Sequence, residues 1–492
     1  MVQLSIPTAA ATRTPVRADG TGLTAASGLI LAALAGASCA QGGFYTAAQC
    51  YLAIMLGLAT VAALISLGPT RPERSRWSIG ELGSRIGLSN GIGPALALIG
   101  WTMLDGGLHG AAGSGIRLSL LVLAVLAVIA DCRMLDAGSV ELVLNSLLLL
   151  GAVIGLLGWS GVALHRSAWA IAGQGLWRAS ATLSYPNAAA ALLAIIALLG
   201  LAVRCDRLPP ATSRRHGMLL TAVLAGIGAT LSRGGLLALA IGVLVLLIAL
   251  GRRQLLLAGA TPALGALIAL GGLAPSVPIA SEPRPVLAGL ALLAGLALGA
   301  LTPAGLAPSG LSHPNGLRRP AGLVVGGLIC TALAAGAILI AGRHSIASIG
   351  QARFTVASSD RLAAWHAVWH QIGLRPVIGA GPGLKQLAWT DPDGALRVFA
   401  YAHDEYLQLF AELGVIGLIA LSGCLLALGR LLHHWRPAAG SDRTVWAAAC
   451  AAVLALGCSS LLDFTAHFPA IPLTAAALVG CAAPGLPARQ NA

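Results

Sequence analysis

Apolar runs of about 17 to 25 residues, the length that crosses ~30 Å of hydrocarbon as a helix, recur along the whole chain and are separated by short stretches holding arginine, glycine or proline. They predict spans over residues 22–40, 47–68, 91–109, 116–131, 140–164, 185–203, 216–231, 234–251, 255–273, 285–307, 321–341, 406–430, 445–462 and 468–485. The region 255–320 is rich in glycine and proline, and a re-entrant hairpin there would reduce fourteen spans to twelve. The fold expected is therefore all-α, a polytopic integral membrane protein of 12–14 transmembrane helices. One long polar interruption, 342–405, is expected to form an extramembrane loop containing short helices.

Composition agrees: 57% of the 492 residues are hydrophobic and 10% are charged, where soluble domains carry about a quarter. The apolar stretch at 31–41 ends in Gly36, Ala37, Ser38, Cys39 and Ala40 and superficially resembles a signal-peptide cleavage region. With so many later spans it is expected to be a first anchor instead. The nine cysteines lie mostly within or beside apolar runs and read as small hydrophobes. A net charge of +13 would suggest nucleic acid in a soluble chain, but here the arginines sit in short loops beside lipid headgroups. Membrane lipids are thus the expected partner and nucleic acid is not.

Assigning the connections alternately to two faces puts nineteen arginines on one, among them Arg71, Arg133, Arg204, Arg252 and Arg436. The other face receives Arg117, Arg166, Arg178, Arg233 and Arg284, plus six basic residues of the long loop. The positive-inside bias makes the first face cytoplasmic, with both termini inside and the long loop outside.

Polar residues inside this pattern gather on the outer face. Arg233 stands in Leu-Ser-Arg-Gly-Gly (231–235), almost without loop around it. A charge near hydrocarbon costs up to about 2.5–3.5 kcal/mol at mid-span and less where it snorkels. It reads either as an interfacial arginine or as an anion ligand to which Gly234 and Gly235 permit close approach. Arg361, followed by Trp365 and Trp369 at helical spacing, reads equally as part of an interfacial amphipathic helix or of a site. His403 precedes Asp404, Glu405 and Tyr406, and is a candidate general base. The glycines 379, 381 and 383 lack the Lys and Ser/Thr of a phosphate loop and fit a tight turn shaping a pocket. Asn187, in Tyr-Pro-Asn at the start of a span, and Asp463, in Leu-Asp-Phe-Thr-Ala-His-Phe-Pro (462–469), complete the set.

Four blocks in this order resemble the O-antigen ligase and O-antigen polymerase superfamily of bacterial polytopic glycan transferases. They are Ser-Arg-Gly at 232–234; Arg361 to Trp365 with Arg375, Pro376 and Gly379 to Gly383; Ala402 to Leu407 with Glu412 to Gly417; and Ser459 to Phe464 with Pro469. One departure is Asp404, where that family has Asn or Ser. The resemblance covers about 185–480 and divides the chain into N-terminal transmembrane helices (1–184), an O-antigen-ligase-like membrane domain (185–480, with periplasmic loop 342–405) and a short cytoplasmic tail (481–492).

It implies transfer of a glycan from an undecaprenyl-diphosphate carrier to lipid A-core or another glycan acceptor, at the periplasmic face of the bacterial inner membrane. Arg233, Arg361, His403 and Asp463 map onto the family's essential residues. Arg233 and Arg361 are expected to clamp the diphosphate, and His403, oriented by Asp463 or Glu412, to act as base for an inverting displacement. Asn187, Trp365, Gly381, Asp404, Tyr406 and Glu412 are expected to contact substrate. No metal or other cofactor is expected. A repeat-unit polymerase is the alternative within the family, and a transporter of lipid-linked glycan the alternative outside it.

Overall fold

The computed structural model describes residues 20–66, 89–206, 208–301, 359–384, 386–390, 394–437 and 441–483. The expected span 321–341, together with Arg343, Arg353, Lys385 and most of the tail, lies outside them. The helices are α1 (Gly20–Cys39), α2 (Thr46–Ser66), α3 (Ser89–Leu108), α4 (Ala112–Met134), α5 (Ala137–Ala163), α6 (Pro186–Val203) and α7 (Pro210–Thr230). They continue as α8 (Arg233–Leu250), α9 (Arg252–Leu273), α10 (Pro285–Gly299), α11 (Ser359–Leu374), α12 (Glu405–His434), α13 (Ser441–Ser460) and α14 (Ala470–Cys481). Two antiparallel hairpins, β1 (Ala170–Gly173) with β2 (Leu176–Ala179) and β3 (Leu387–Thr390) with β4 (Leu396–Phe399), are the sheet among the described residues.

Each expected span within the described residues is a helix. Eight of the helices are long and apolar enough to cross a membrane, and four shorter apolar helices accompany them. The chain is thus an all-α polytopic membrane protein. α7 begins six residues before the expected start because Pro209 and Pro210 open it, at positions where a proline ring fits the first helical turn. Exposed leucines and isoleucines on the outer flanks, such as Ile248, Leu290 and Leu426, suit contact with lipid rather than water.

The bundle is built around α6, which reads Pro-Asn-Ala-Ala-Ala-Ala-Leu-Leu-Ala-Ile-Ile-Ala and is apolar on all sides. It is buried along 89% of its span and packs against α5, α7, α8, α13 and α14. Lipid tails are as apolar as leucine, so contact between such helices rests on close fit and small residues. Gly155 of α5 faces Gly226 of α7, and Gly265 of α9 faces Gly295 of α10, at separations where an added Cβ would collide with backbone.

Alternate connections meet at one end of the bundle. Phe44 packs on Phe468, His165 Nε2 lies 2.8 Å from Ser276 O, Leu176 bridges Pro278, and the Gly381 turn abuts His109. The remaining described connections meet at the opposite end. There Arg204 is buried and donates to Ala258 O (2.8 Å) and to Ser213 O, while Arg133 lies over Trp435. The two groups are those separated by the arginine count.

The long loop contributes more than short helices, since β3 and β4 were not evident in its sequence. α11 buries Ala364, Ala367, Val368 and Ile372 and exposes Leu362, Trp369 and Leu374. The glycine run that follows is stitched to a break in α12. Ala380 N donates to Ala411 O and Gly381 N to Glu412 O, both 2.9 Å, and Val415 N donates to Pro376 O at 2.9 Å. Gly414, at φ 65, interrupts the helix there. A Cβ on Gly414 would lie 2.1 Å from Val377 O, so the close approach of two backbones requires glycine. Trp101 Nε1 donates to the Leu413 carbonyl (2.9 Å), partnering a carbonyl at the interruption.

Candidate functional site

Six chain segments converge at the end of the bundle that carries α11. The α7–α8 junction turns sharply because Leu231 adopts a left-handed conformation (φ 51). Ser232 then caps α8, its hydroxyl accepting from Gly235 N at 3.2 Å. Gly235 lets the start of α8 lie directly on Ala190 of α6, whose Cβ would sit 2.3 Å from any side chain added there. Arg233 is thereby placed in the first turn of α8, where backbone N–H groups and the helix dipole also favour an anion.

Tyr185 and Asn187 enter from the start of α6, Arg178 from β2, Arg361 from α11, and Asp463 from the connection between α13 and α14. A cavity of about 190 Å³ is lined by these residues together with Gln174 and Ser232 to Gly235.

Asp463 organises the site. Its Oδ2 accepts from Tyr185 Oη at 2.7 Å and from Asn187 Nδ2, and lies 3.6 Å from Arg361 Nη2. Its Oδ1 accepts from Phe464 N at 3.0 Å and lies 3.2 Å from His403 Nδ1. A carboxylate only accepts, so the His403 contact places a proton on Nδ1, and in the neutral ring Nε2 is the nitrogen without one. Asp463 is 3% exposed. Burial alone would raise its pKa, but the donors His403, Tyr185 and Asn187 outweigh it and hold the carboxyl below the usual range. Burial, and then the neighbouring Asp463 charge, push the Tyr185 phenol up, so it stays protonated and donates.

Aromatic rings surround the carboxylate: Tyr185 and Tyr401 both stack on Phe464, at centroid distances of 5.1 and 4.3 Å. The backbone is held in sparsely populated conformations beside the site. Ser184, Leu231 and His403 have φ of 58, 51 and 53, and each precedes or is a site residue. Such non-glycine left-handed residues persist where the surroundings over-determine them.

Of the residues singled out in the sequence, Arg233, Arg361, Asn187 and Asp463 line the cavity, and His403 reaches it through Asp463. The others occupy different places. Asp404 caps α12, accepting from Tyr406 N and Leu407 N at 3.0 Å each. Tyr406 Oη donates to Gly457 O (3.3 Å) and joins α12 to α13. Glu412 accepts from Gln408 Nε2 (2.6 Å) and Gly383 N (3.0 Å), so it holds the glycine turn, and Asp463 rather than Glu412 contacts His403. Gly381 packs on His109. Trp365 is half-buried on α11 and absent from the cavity lining. Among the described residues no three His, Cys, Asp or Glu side chains are grouped as metal ligands would be.

Arg178 and Tyr185 were not singled out as site residues. Arg178 Nη2 donates to Asn187 Oδ1 (2.9 Å) and its Nε to Thr230 O (3.0 Å). The signal available in the sequence was the scarcity of arginine on this face: Arg178 and Arg233 are two of the five outside the long loop.

A second ion pair braces the site. His467 Nδ1 lies 3.0 Å from Glu405 Oε1, and Glu405 Oε2 accepts from Ala466 N at 3.2 Å. Burial depresses the His467 pKa, but the Glu405 carboxylate outweighs it and the imidazole is pushed up to about 9. The folded pKa exceeds the unfolded value of ~6.5, so the stabilisation is complete below that value and is lost as pH rises through about 9. Thermal unfolding in detergent is expected to lose about 1–3 kcal/mol between pH 6.5 and 9.5 relative to a His467→Gln protein. Parallel pH curves for the two would contradict this.

Residues 217–422 match the family model described as O-antigen ligase, which supports the resemblance read from the four sequence blocks. No curated protein matches the chain. The matched segment contains Arg233, Arg361 and His403, whereas Arg178, Tyr185, Asn187 and Asp463 lie outside it.

Proposed function

We propose that this O-antigen-ligase-like chain transfers a glycan from an undecaprenyl-diphosphate carrier to an acceptor hydroxyl, at the periplasmic face of the bacterial inner membrane with both termini in the cytoplasm. The observation that carries the reading is the placement of Asp463. One oxygen faces His403, and the other faces Arg361, Tyr185 and Asn187 at the wall of a cavity that also contains Arg233.

The donor sugar leaves a diphosphate, so negative charge grows on the bridging oxygen as the glycosidic bond breaks. Arg233, Arg361 and the first turn of α8 meet that charge with charge-assisted hydrogen bonds. His403 Nε2 takes the proton from the acceptor hydroxyl while its oxygen attacks the anomeric carbon from the opposite side, giving inversion. Asp463 stabilises the imidazolium so formed. The arginines take the neutralising role that divalent metals have in nucleotide-sugar transferases, so transfer is expected to persist in EDTA.

Transport of an intact lipid-linked glycan would be served by charges near mid-membrane, whereas these gather at one end of the bundle. A strain lacking the protein is expected to accumulate completed carrier-linked glycan on the outer leaflet together with bare lipid A-core. Short capped chains would instead assign polymerisation, and carrier-linked glycan arrested on the inner leaflet would assign transport.

A further inference from the structure

We propose that Arg178 is a positioning residue for the transfer, holding the Asn187 amide in the one orientation that presents its NH₂ to Asp463 and so keeps Asp463 on His403. The inference rests on the proposed reaction for its kinetic consequences, but the geometry behind it is independent of substrate.

A guanidinium only donates hydrogen bonds, so Asn187 must turn its carbonyl oxygen toward Arg178 Nη2 (2.9 Å). The amide is planar, and its NH₂ then points the other way, toward Tyr185 Oη (3.1 Å) and Asp463 Oδ2. Both are acceptors for it. The reverse orientation would set NH₂ against guanidinium and oxygen against carboxylate, two repulsive contacts in a partly buried setting.

Arg178 is itself held firmly. Its Nε donates to Thr230 O (3.0 Å) at the C-terminal end of α7, where carbonyls lack helical partners and the dipole attracts a cation. β2 is pinned beneath it. Gln174 and Gly175, at φ 54 and 76, form the tight turn suited to a two-residue hairpin. Trp177 N donates to Val277 O (2.7 Å) and Ile279 N to Gly175 O (2.9 Å), tying the hairpin to the α9–α10 connection. A hairpin anchored at this second place sets Arg178, Arg178 sets Asn187, and Asn187 with Tyr185 sets the carboxylate that orients the base.

Without the guanidinium the Asn187 oxygen loses its donor, the amide is held from the Asp463 and Tyr185 side alone, and the carboxylate it donates to loosens from His403. The test uses the purified full-length protein with a polyprenyl-diphosphate-linked glycan as donor. Arg178→Gln is expected to lower kcat about tenfold with the donor KM within about twofold of the parent, as for a misplaced rather than a missing group. Arg178→Lys, which still donates to Asn187 Oδ1, is expected to recover most of the rate. Adding Asn187→Ala to Arg178→Gln is expected to lower the rate no further.

Diethylpyrocarbonate labelling read by mass spectrometry supplies a measurement that needs no turnover. His403, a third exposed, is expected to be labelled several-fold more slowly in Arg178→Gln, because Nε2 loses the support of Asp463 at Nδ1. His434, at the opposite end, serves as the reference. A raised donor KM at parental kcat would make Arg178 a donor ligand and overturn the proposal, as would parental kcat or an unchanged His403 labelling rate. If the parent transfers no glycan, the proposed reaction falls, and the labelling alone decides the role of Arg178.

Discussion

Replacement of His403 by alanine is expected to lower the rate of glycan transfer by about 10²- to 10⁴-fold, the span that a positioned general base contributes. The donor KM should change little, since the imidazole is proposed to meet the acceptor and not the diphosphate. Two features of the residue shape the experiment. Its φ of 53 is a conformation that alanine tolerates less well than asparagine or glycine, so His403→Ala also strains the segment entering α12. His403→Asn removes the base while keeping the backbone comfortable, and it should fold and purify like the parent. Both variants should be equally inactive if the role is chemical. An asparagine variant with more than a tenth of parental kcat would remove His403 from the reaction, whatever the alanine variant does.

Much of this architecture could be read from the chain because its physics is one-dimensional. A helix in lipid must satisfy its backbone internally and present apolar side chains for about 20 residues, so the runs that became α4, α5, α8 and α12 announced themselves by length. The charge asymmetry then sorted the connections into two groups, and the contacts of Phe44 with Phe468 and of His165 with Ser276 reproduce one of them. Arg233 was visible for a related reason, as a charge is conspicuous where almost no loop separates two apolar helices.

Other parts were hidden because they depend on which segments meet in three dimensions. Arg178 lies in a short hairpin among thirty basic residues, and nothing near it in sequence indicates that Asn187 and Thr230 will be its partners. Glu412 illustrates the converse. An acid nine residues after His403 invites a catalytic reading, but the break at Gly414 and the run 376–383 need an acceptor for Gly383 N, and Glu412 supplies it. The glycines at 379 and 414 serve the same junction, where two backbones cross too closely for any Cβ, and Gly381 N donates to Glu412 O beside them. Trp365 shares a helix with Arg361 without sharing its cavity, since four residues along a helix gave adjacency but not direction toward α6 and α8.

Substitution of Asp463 by asparagine is expected to reduce kcat by about 10²- to 10⁴-fold with little loss of fold, because it exchanges one oxygen for NH₂ at nearly constant volume in a position surrounded by donors. Both orientations of the new amide fail. With its NH₂ at the Oδ2 position it faces Asn187 Nδ2 and Arg361 Nη2, neither of which can accept, and Tyr185 Oη, which accepts only by turning its own hydrogen away. With its NH₂ at the Oδ1 position it faces Phe464 N, which can only donate, and His403 Nδ1. The histidine can relieve the second arrangement by moving its proton to Nε2, but that blocks the nitrogen proposed to take the acceptor's proton. Either outcome also removes the negative charge that would stabilise the imidazolium as the acceptor attacks. Loss of the required tautomer separates this variant from one that merely loosens the site, because His403→Asn in the Asp463→Asn background should cost almost nothing more. Measuring kcat for the two single variants and the double variant checks it. Fully multiplicative losses would show that Asp463 acts on the cavity and not through His403.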